Sequence, residues 1–302
     1  MCLFMKKTIF FAQIAFALLA VPAFAGNDKN YTYLALGDSI PFGMNILLIP
    51  PYASQFPTPS QFVGYPETVG SVEHLLTSKK LVNASCPGES SGSFLNVNLL
   101  DYGCNSPHPL PDGTFLPAFK PSFGLKADYS GTTSQMDFAE AQLASNKHID
   151  AVTLSIGAND ALLVVPQLLQ CGQDKTCATN VLKPVLDNYA GNLIQILSRI
   201  RAKYNGRLVL LTYYSPDPRL DDVAVAVNTV MTAVASNPAF GPVHFADGFN
   251  AFQTASALFG GDACKAGLLI RLPAGSPTPC DIHPSPIGRD ILAAIVEVAL
   301  HE

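Results

Sequence analysis

The stretch Leu34-Ala35-Leu36-Gly37-Asp38-Ser39-Ile40 joins an apolar run to a Gly-Asp-Ser triplet. An apolar run of this length is typical of a buried strand, and the triplet ends it. In a parallel α/β sheet the chemistry lies outside the carboxyl ends of the strands, so Ser39 is a candidate nucleophile. Glycine and aspartate are also ordinary turn formers, so the triplet alone fits a plain turn as well.

The first 25 residues have the pattern of a secretory signal peptide. Two lysines precede an apolar region, and the small-residue site Ala23-Phe24-Ala25 follows it. A membrane anchor is the weaker interpretation, because the apolar region is shorter than the roughly 20 residues that span a bilayer and Pro22 interrupts it. We therefore expect a signal peptide over residues 1–25, one domain over 26–302, secretion to the periplasm or the medium, and no stable membrane anchor.

The charge balance argues against a nucleic-acid partner. Without the two lysines of the expected signal peptide, 16 basic residues stand against 23 acidic ones, a formal charge of −7. The chain has no basic run, and an acidic protein repels a phosphate backbone.

The cysteines that remain after export indicate three disulfides, because their number is even and the compartment is oxidising. They form three pairs that are close in sequence, so we expect sequential pairing. A zinc site is the alternative, but the chain has no Cys-x-x-Cys or His-x-x-x-His spacing to support it. The six residues are Cys86, Cys104, Cys171, Cys177, Cys264 and Cys280.

Hydrophobic periodicity predicts strands that alternate with helices, which favours a parallel sheet covered on both faces. After the first strand, the predicted strands span residues 80–84, 150–156, 207–213 and 243–247, and the predicted helices span 69–76, 134–146, 188–204, 221–234 and 287–300. Two proline-rich segments, 41–67 and 105–128, are predicted to be loops. The phenylalanines of the second loop, among them Phe115, Phe119 and Phe123, either line an acyl-binding cleft or fix the loop to the domain.

Different chemical groups follow different predicted strands. Ser39 follows the first strand, Gly88 the second and Asn159 the third, and His283 stands in Cys280-Asp281-Ile282-His283-Pro284 before the last helix. These residues supply a nucleophile, a backbone N–H donor, an amide donor and a base. Acyl transfer needs that set of groups.

At these positions the sequence resembles the SGNH (GDSL-type) hydrolases. The blocks Gly37-Asp38-Ser39-Ile40, Gly88, Gly157-Ala158-Asn159-Asp160 and Asp281-x-His283-Pro284 stand in the family's order across nearly the whole mature chain. The resemblance implies an α/β fold, namely a flavodoxin-like three-layer α/β/α domain with a parallel five-stranded sheet. It also implies a secreted serine esterase or lipase, a carboxylic ester hydrolase for which we expect no cofactor and no metal.

Carried over by position, the resemblance makes Ser39 the nucleophile and His283 the general base. Ser39 and Gly88, through their backbone N–H groups, and Asn159, through its amide, form the oxyanion hole. Asp281 orients the histidine, although the family's usual aspartate stands three residues before it, where this chain has Cys280. Residues two apart in an extended segment share a side, so Asp281 can reach the ring; the alternative is a backbone carbonyl in its place.

Gly88-Glu89-Ser90-Ser91-Gly92 matches the nucleophile elbow of α/β-hydrolases and makes Ser90 a competing nucleophile. That fold places several strands before its nucleophile, and only two fit before Ser90. The elbow also leaves Ser39 and Asn159 without a role. A binding protein that has lost catalysis is the alternative from another class.

The sequence leaves the substrate open among lipid or small-molecule esters, acetylated sugars or polysaccharides, and acyl transfer to an alcohol instead of water. The proline-rich loops with their phenylalanines favour lipid-type esters. A Cys264–Cys280 disulfide would close a loop beside Asp281 and His283. We expect it to stabilise the histidine segment.

Overall fold

The structure is a computed structural model that describes residues 32–73, 80–109, 115–145 and 148–302. The expected signal peptide, residues 1–25, lies outside these residues. The strands are β1 (Thr32–Gly37), β2 (Leu81–Asn83), β3 (His108–Pro109), β4 (Phe115–Leu116), β5 (Ile149–Ser155), β6 (Arg207–Leu211), β7 (Val243–Ala246), β8 (Leu269–Arg271) and β9 (Cys280–Pro284).

Five of these strands form one sheet in the order β2-β1-β5-β6-β7, and each pairs with its neighbours in parallel. This is the strand order of the flavodoxin-like doubly wound fold. The order confirms the predicted five-stranded parallel sheet. Two antiparallel ribbons, β3-β4 and β8-β9, lie outside it.

The helices are α1 (Ser39–Phe42), α2 (Tyr65–Val72), α3 (Ser91–Leu95), α4 (Phe119–Phe123), α5 (Gln135–Ser145), α6 (Ala158–Leu162), α7 (Val165–Cys171), α8 (Lys175–Arg201), α9 (Asp221–Ala235), α10 (Gly248–Ser256) and α11 (Pro286–His301). On one face of the sheet α11 packs against α2 and over β6 and β7. On the other face α8 packs against α5 and α9. The predicted three-layer α/β/α architecture is therefore confirmed.

The central strands are buried on both faces, which explains why apolar residues predominate in them. Every residue of β1 is buried, as is nearly every residue of β5. Their register places Gly37 opposite Ser155, so both strands end at the same edge of the sheet. The segments after β1 and β5 consequently leave the sheet side by side.

The phenylalanines of the predicted loop over residues 105–128 fix that segment to the domain. Phe119 begins α4 and packs edge-on against Phe42, and both are buried in a second, smaller core. Phe123 stacks on Phe56, with 4.0 Å between the ring centroids. Phe115 is 65% exposed. Of the two interpretations left open by the sequence, the structure supports packing for Phe119 and Phe123.

Two predicted helices begin earlier in the structure than the sequence indicated. Residues 69–76 were predicted, but α2 begins at Tyr65, and residues 74–79 lie outside the described part of the chain. The prediction for 188–204 was wrong at its start, because α8 begins at Lys175 and Pro184 lies inside it. The Asp174 side chain caps this helix by accepting from two backbone N–H groups, and the helix continues through Pro184 over 27 residues in all. Among the described helices none is both long and apolar enough to cross a bilayer.

Candidate active site

The turn after β1 presents Ser39 at the edge of the sheet. Gly37 has φ +132°, and a Cβ there would lie 2.0 Å from the carbonyl oxygen of Ser155, so only glycine fits. The Asp38 side chain accepts from the N–H of Ile40 at 3.0 Å and caps the short helix α1. Ser39 is therefore the first residue of a sharp strand-to-helix turn, and it is 9% exposed.

The end of β5 brings Asn159 to the same edge. Gly157 has φ +126°, and a Cβ there would lie 2.5 Å from the ring of Tyr189, so this turn also requires glycine. Asn159 is 4% exposed, and its Nδ2 donates one hydrogen bond to the carbonyl oxygen of Glu89 at 2.9 Å. An amide nitrogen carries two hydrogens, and no acceptor among the described residues takes the second one, so it is available to a ligand.

The segment after β2 runs beside both turns. Its Cys86 N–H donates to the carbonyl oxygen of Gly37 at 3.0 Å, and the carbonyl oxygen of Gly88 accepts from the N–H of Tyr102 at 2.7 Å. Among the described residues no acceptor takes the N–H of Ser39 or of Gly88. Within the described part of the chain, the structure thus leaves unpaired the two backbone donors that the family resemblance assigns to an oxyanion hole.

His283 lies in β9 with its ring against Asp281. The Nδ1 atom of His283 is 2.6 Å from Oδ2 of Asp281. Burial lowers the pKa of His283, but the charge and hydrogen bond of Asp281, with a contribution from Asp38, outweigh it, so this pKa lies above its ordinary value. For Asp281 burial raises the pKa, and the charge of His283 with its hydrogen bond brings it below the ordinary value. Asp281 is therefore ionised near neutral pH, and a neutral His283 ring that donates from Nδ1 to Asp281 would present an unprotonated Nε2.

Several contacts fix the segment that carries His283. A disulfide joins Cys280, the first residue of β9, to Cys264. The hydroxyl of Tyr214 donates to the carbonyl oxygen of Ile282 at 2.7 Å. Ser285 donates its N–H to the carbonyl oxygen of Leu268 at 2.8 Å and caps α11 with its side chain. Contacts at residues before and after His283 in the chain thus fix the position of its ring.

The turn that carries Ser39 and the segment that carries His283 are neighbours. Helix α1 contacts β9, and the charge of Asp38, the residue before Ser39, acts on His283. The Oγ atom of Ser39 makes no hydrogen bond to another described residue. Catalytic hydrogen bonds are commonly long without substrate and tighten in the complex.

Asp38 is fully buried, and a tyrosine from another strand end binds it. Its Oδ2 accepts from the hydroxyl of Tyr213 at 2.5 Å. Burial raises the pKa of Asp38 to about 6, although the hydrogen bonds from Tyr213 and from the N–H of Ile40 lower it. Asp38 therefore stabilises the turn, and its negative charge contributes to the raised pKa of His283.

Ser90, the competing nucleophile, has a structural position. It precedes α3 and accepts from the N–H of Ser93 at 3.0 Å, which caps the helix. Its hydroxyl donates to the carbonyl oxygen of Leu100 at 2.7 Å, and the residue is 2% exposed. The hydroxyl of Ser90 is therefore occupied on both sides, unlike that of Ser39.

The cysteines pair in sequence order, as the sequence predicted: Cys86–Cys104, Cys171–Cys177 and Cys264–Cys280. In the described part of the chain, Cys86, Cys104 and Glu89 are the side chains that come close enough together to hold a metal ion. Both sulfurs are already joined in a disulfide, so they are poor metal ligands.

An apolar groove lies close to the site. Ala158, which precedes Asn159, and Ile282, which precedes His283, both line it. The rest of the lining includes Leu162, Val165, Tyr213, Tyr214, Val223, Ala224 and Val227. The groove offers almost no polar partner, so it suits a hydrocarbon chain.

Sequence reasoning missed the residues that support the site from a distance. The Gln135 side chain accepts from the N–H of Gly37 at 2.6 Å and donates to the carbonyl oxygen of Gly37 at 2.9 Å. It also donates to the carboxylate of Glu89 at 3.1 Å. Tyr213 and Tyr214 follow β6 at the edge where the site lies, and that position was a usable signal. For Gln135 and Glu89 the sequence contained no signal.

The model of the GDSL-like lipase/acylhydrolase family matches residues 35–291. Among solved structures, the phospholipase A1 of Streptomyces albidoflavus NA297 has 16% identity and a TM-score of 0.52, over 89% of this chain and 99% of that one. An extracellular lipase of Streptomyces rimosus has 16% identity and a TM-score of 0.50 over the same shares. These two likenesses bear on the fold alone. No curated protein sequence matches the chain.

Proposed function

This chain belongs to the GDSL-like lipase/acylhydrolase family and is a carboxylic ester hydrolase, and we propose that it cleaves esters with an apolar acyl chain through an acyl-enzyme on Ser39. The observation that carries the substrate class is the apolar groove, whose lining includes Ala158 and Ile282, the residues that precede Asn159 and His283 in the chain.

In the proposed reaction the Nε2 atom of His283 takes the proton of Ser39 as Oγ attacks the ester carbonyl. The tetrahedral intermediate collapses, the alcohol leaves with the proton from His283, and the acyl group stays on Ser39. Water then attacks the acyl-enzyme by the same route and releases the acid. Asp281 keeps the ring in the required tautomer and stabilises its positive charge, which the 2.6 Å contact supports.

The negative charge that develops on the carbonyl oxygen needs donors that are already in place. We assign these donors to the backbone N–H groups of Ser39 and Gly88 and to the amide of Asn159. The carbonyl of Glu89 fixes the Asn159 amide through one N–H and leaves the other for the oxyanion. Donors fixed before the reaction cost no reorganisation when the charge appears.

The acyl chain would lie in the apolar groove. Its lining includes Ala158 and Ile282, which are adjacent in the chain to Asn159 and His283, and we propose that the acyl chain reaches the groove past these residues. Each methylene moved from water into such a groove contributes roughly 0.8 kcal/mol to binding. Longer chains should therefore bind better until the groove is filled.

We also propose that the protein is exported, with residues 1–25 as the signal peptide and residues 26–302 as one domain. The three disulfides support this proposal, because disulfides persist mainly in oxidising compartments.

The test is a rate profile on p-nitrophenyl esters from acetyl to palmitoyl, measured for the purified protein and for Val223→Phe. Val223 lines the groove, so a larger ring there should obstruct long chains. We expect an optimum at medium or long chains, and in Val223→Phe a loss of at least tenfold in kcat/KM for those esters with the acetyl rate unchanged. Val225→Phe, on the same helix but 45% exposed, is the matched control and should behave as wild type.

A preference for acetyl esters would contradict the proposed substrate class and favour deacetylation. An equal loss in Val223→Phe for all chain lengths would show that the groove does not receive the acyl chain.

A further inference from the structure

Two adjacent tyrosines connect the two halves of the candidate site. Tyr213 and Tyr214 follow β6, and each is 6% exposed. The Tyr213 hydroxyl bonds Asp38, the residue before Ser39, and the Tyr214 hydroxyl bonds Ile282, the residue before His283.

The first contact fixes the nucleophile turn. One oxygen of the Asp38 carboxylate accepts from the Tyr213 hydroxyl at 2.5 Å, and the other accepts from the N–H of Ile40 at 3.0 Å. The two bonds therefore fix Asp38 and Ile40, the residues before and after Ser39. A change in the position of Tyr213 therefore moves the turn that presents Oγ.

The second contact fixes the base. The carbonyl of Ile282 lies between Asp281 and His283, and it accepts from the Tyr214 hydroxyl at 2.7 Å. The Tyr214 ring stacks on Phe252 of α10 with 4.1 Å between centroids, so the donor itself has little freedom. Because the hydroxyl binds the backbone at Ile282, it fixes the position of the extended segment from which the Asp281 and His283 side chains project.

The backbone of this pair is fixed by Asn228 of α9. The Oδ1 atom of Asn228 accepts from the N–H of Tyr213, and its Nδ2 donates to the carbonyl oxygen of Tyr213, both at 2.8 Å. Two bonds to Tyr213 define the orientation of its backbone as well as its position. The fixed Tyr213-Tyr214 dipeptide thus contacts both Asp38, before Ser39, and Ile282, before His283.

We propose that Tyr213 and Tyr214 are positioning residues, which set the distance between Oγ of Ser39 and the ring of His283 by binding Asp38 and the carbonyl of Ile282 from one fixed dipeptide. This inference rests on the proposed roles of Ser39 and His283. A displacement of about 1 Å at reacting atoms can cost on the order of a hundredfold in rate, so small shifts of the pair should be visible in kinetics.

The test uses Tyr213→Phe and Tyr214→Phe, which remove one hydroxyl each and keep the rings that line the groove. We expect kcat to fall roughly 10- to 100-fold in each, with KM changed less than threefold. Tyr204→Phe is the matched control, because its buried hydroxyl also donates to a backbone carbonyl, that of Arg207 at 3.1 Å, but at the opposite end of β6. Asn228→Ala removes the two bonds that fix the Tyr213 backbone and leaves both tyrosine side chains in place, so it should lower kcat in the same way.

The pH profile separates positioning from general loss of structure. The ionisable groups that act on Asp38 are Tyr213, His283 and Asp160, and those that act on His283 are Asp281 and Asp38. Without the Tyr213 hydroxyl the pKa of Asp38 rises, the carboxyl is neutral over more of the titration of His283, and the pKa of His283 falls. The acid limb of kcat/KM should move to lower pH in Tyr213→Phe and stay in place in Tyr214→Phe and Tyr204→Phe.

Wild-type kcat in both tyrosine variants would overturn the inference while leaving the proposed function intact, provided that Ser39→Ala is inactive in the same assay. An active Ser39→Ala variant would instead refute the proposed function. A fall in kcat that matches the Tyr204→Phe control, or that follows the melting temperature alone, would reduce the pair to a structural role and also overturn the inference.

Discussion

Oδ2 of Asp281 lies 2.6 Å from Nδ1 of His283, although a single residue separates them in the chain. The two residues belong to β9, where side chains two apart project to the same side. Ile282 between them points the other way and lines the apolar groove. An aspartate two residues before the histidine therefore reaches the ring.

Asp281→Asn should lower kcat by a factor on the order of 10⁴, the size of effect expected when the base loses the partner that fixes its tautomer. The carboxylate raises the pKa of His283, and a histidine that acts as the proposed general base must be neutral in the free enzyme. Removal of the charge should therefore move the acid limb of kcat/KM to lower pH. Steady-state kinetics between pH 5 and 9 measure both effects.

The control for this variant is Asp290→Asn, at a carboxylate that pairs with Arg289 on the surface. It should leave both the rate and the profile unchanged. An Asp281→Asn enzyme within tenfold of wild type would mean that a backbone carbonyl orients the ring.

Asn159→Ala should lower kcat by about 10² to 10³, the usual cost of one oxyanion donor, with KM little changed. The amide is buried and fixed by Glu89, so no other side chain can replace it easily. Asn98→Ala, at an exposed position, serves as the control. Activity within threefold of wild type for Asn159→Ala would remove Asn159 from the oxyanion hole.

Glu89 should make the protein less stable as the pH rises. Burial raises its pKa to about 7 from an ordinary value of 4.5, so the folded state prefers the protonated form. The stabilisation is full below about pH 4.5 and is lost as the pH rises through 7, a change on the order of 3 kcal/mol in the free energy of unfolding. Glu89→Gln mimics the neutral form, so its melting temperature should fall less between pH 5 and pH 8.

Asp38, with a pKa of about 6, contributes in the same direction in both proteins, so the difference between them reports on Glu89. Asp187→Asn on the exposed side of α8 is the control. Equal declines in wild type and Glu89→Gln would show that Glu89 is charged in the folded protein throughout.

Removal of the Cys264–Cys280 disulfide should impair catalysis as well as stability. The bridge spans 16 residues, which corresponds to about 3 kcal/mol in the chain-entropy model, and Cys280 is next to Asp281. The double serine variant should lose at least tenfold in kcat at a temperature where it remains folded. The Cys171–Cys177 pair, which spans 6 residues, gives a matched variant whose kcat should stay near wild type.

Unchanged kcat without the Cys264–Cys280 bridge would contradict its role at the histidine segment. Two free thiols at these positions in purified, unreduced protein would do the same.

The strand ends of the site could be predicted from sequence because local patterns determine them. An apolar run predicts a buried strand, and Gly37 and Gly157 mark where β1 and β5 turn outward. In a parallel sheet these ends meet at one edge, so Ser39 and Asn159 had to be neighbours. The reach of Asp281 to His283 followed from the alternation of side chains in an extended segment.

The supporting contacts could not be predicted, because they join residues far apart in the chain. Tyr213 and Asp38 are 175 residues apart, and Tyr214 and Ile282 are 68 apart. No spacing rule connects such positions. The start of α8 was missed for a different reason: Pro184 suggests a helix boundary, and only packing along the whole helix shows that it lies inside.

Covalent labelling with an organophosphonate, mapped by mass spectrometry, tests the central claim most directly, since only an activated serine reacts. We expect the label on Ser39, no label and background hydrolysis in Ser39→Ala, and a labelled, active enzyme in Ser90→Ala. A label on Ser90, or hydrolysis by Ser39→Ala at the wild-type rate, would contradict the assignment of Ser39 as the nucleophile.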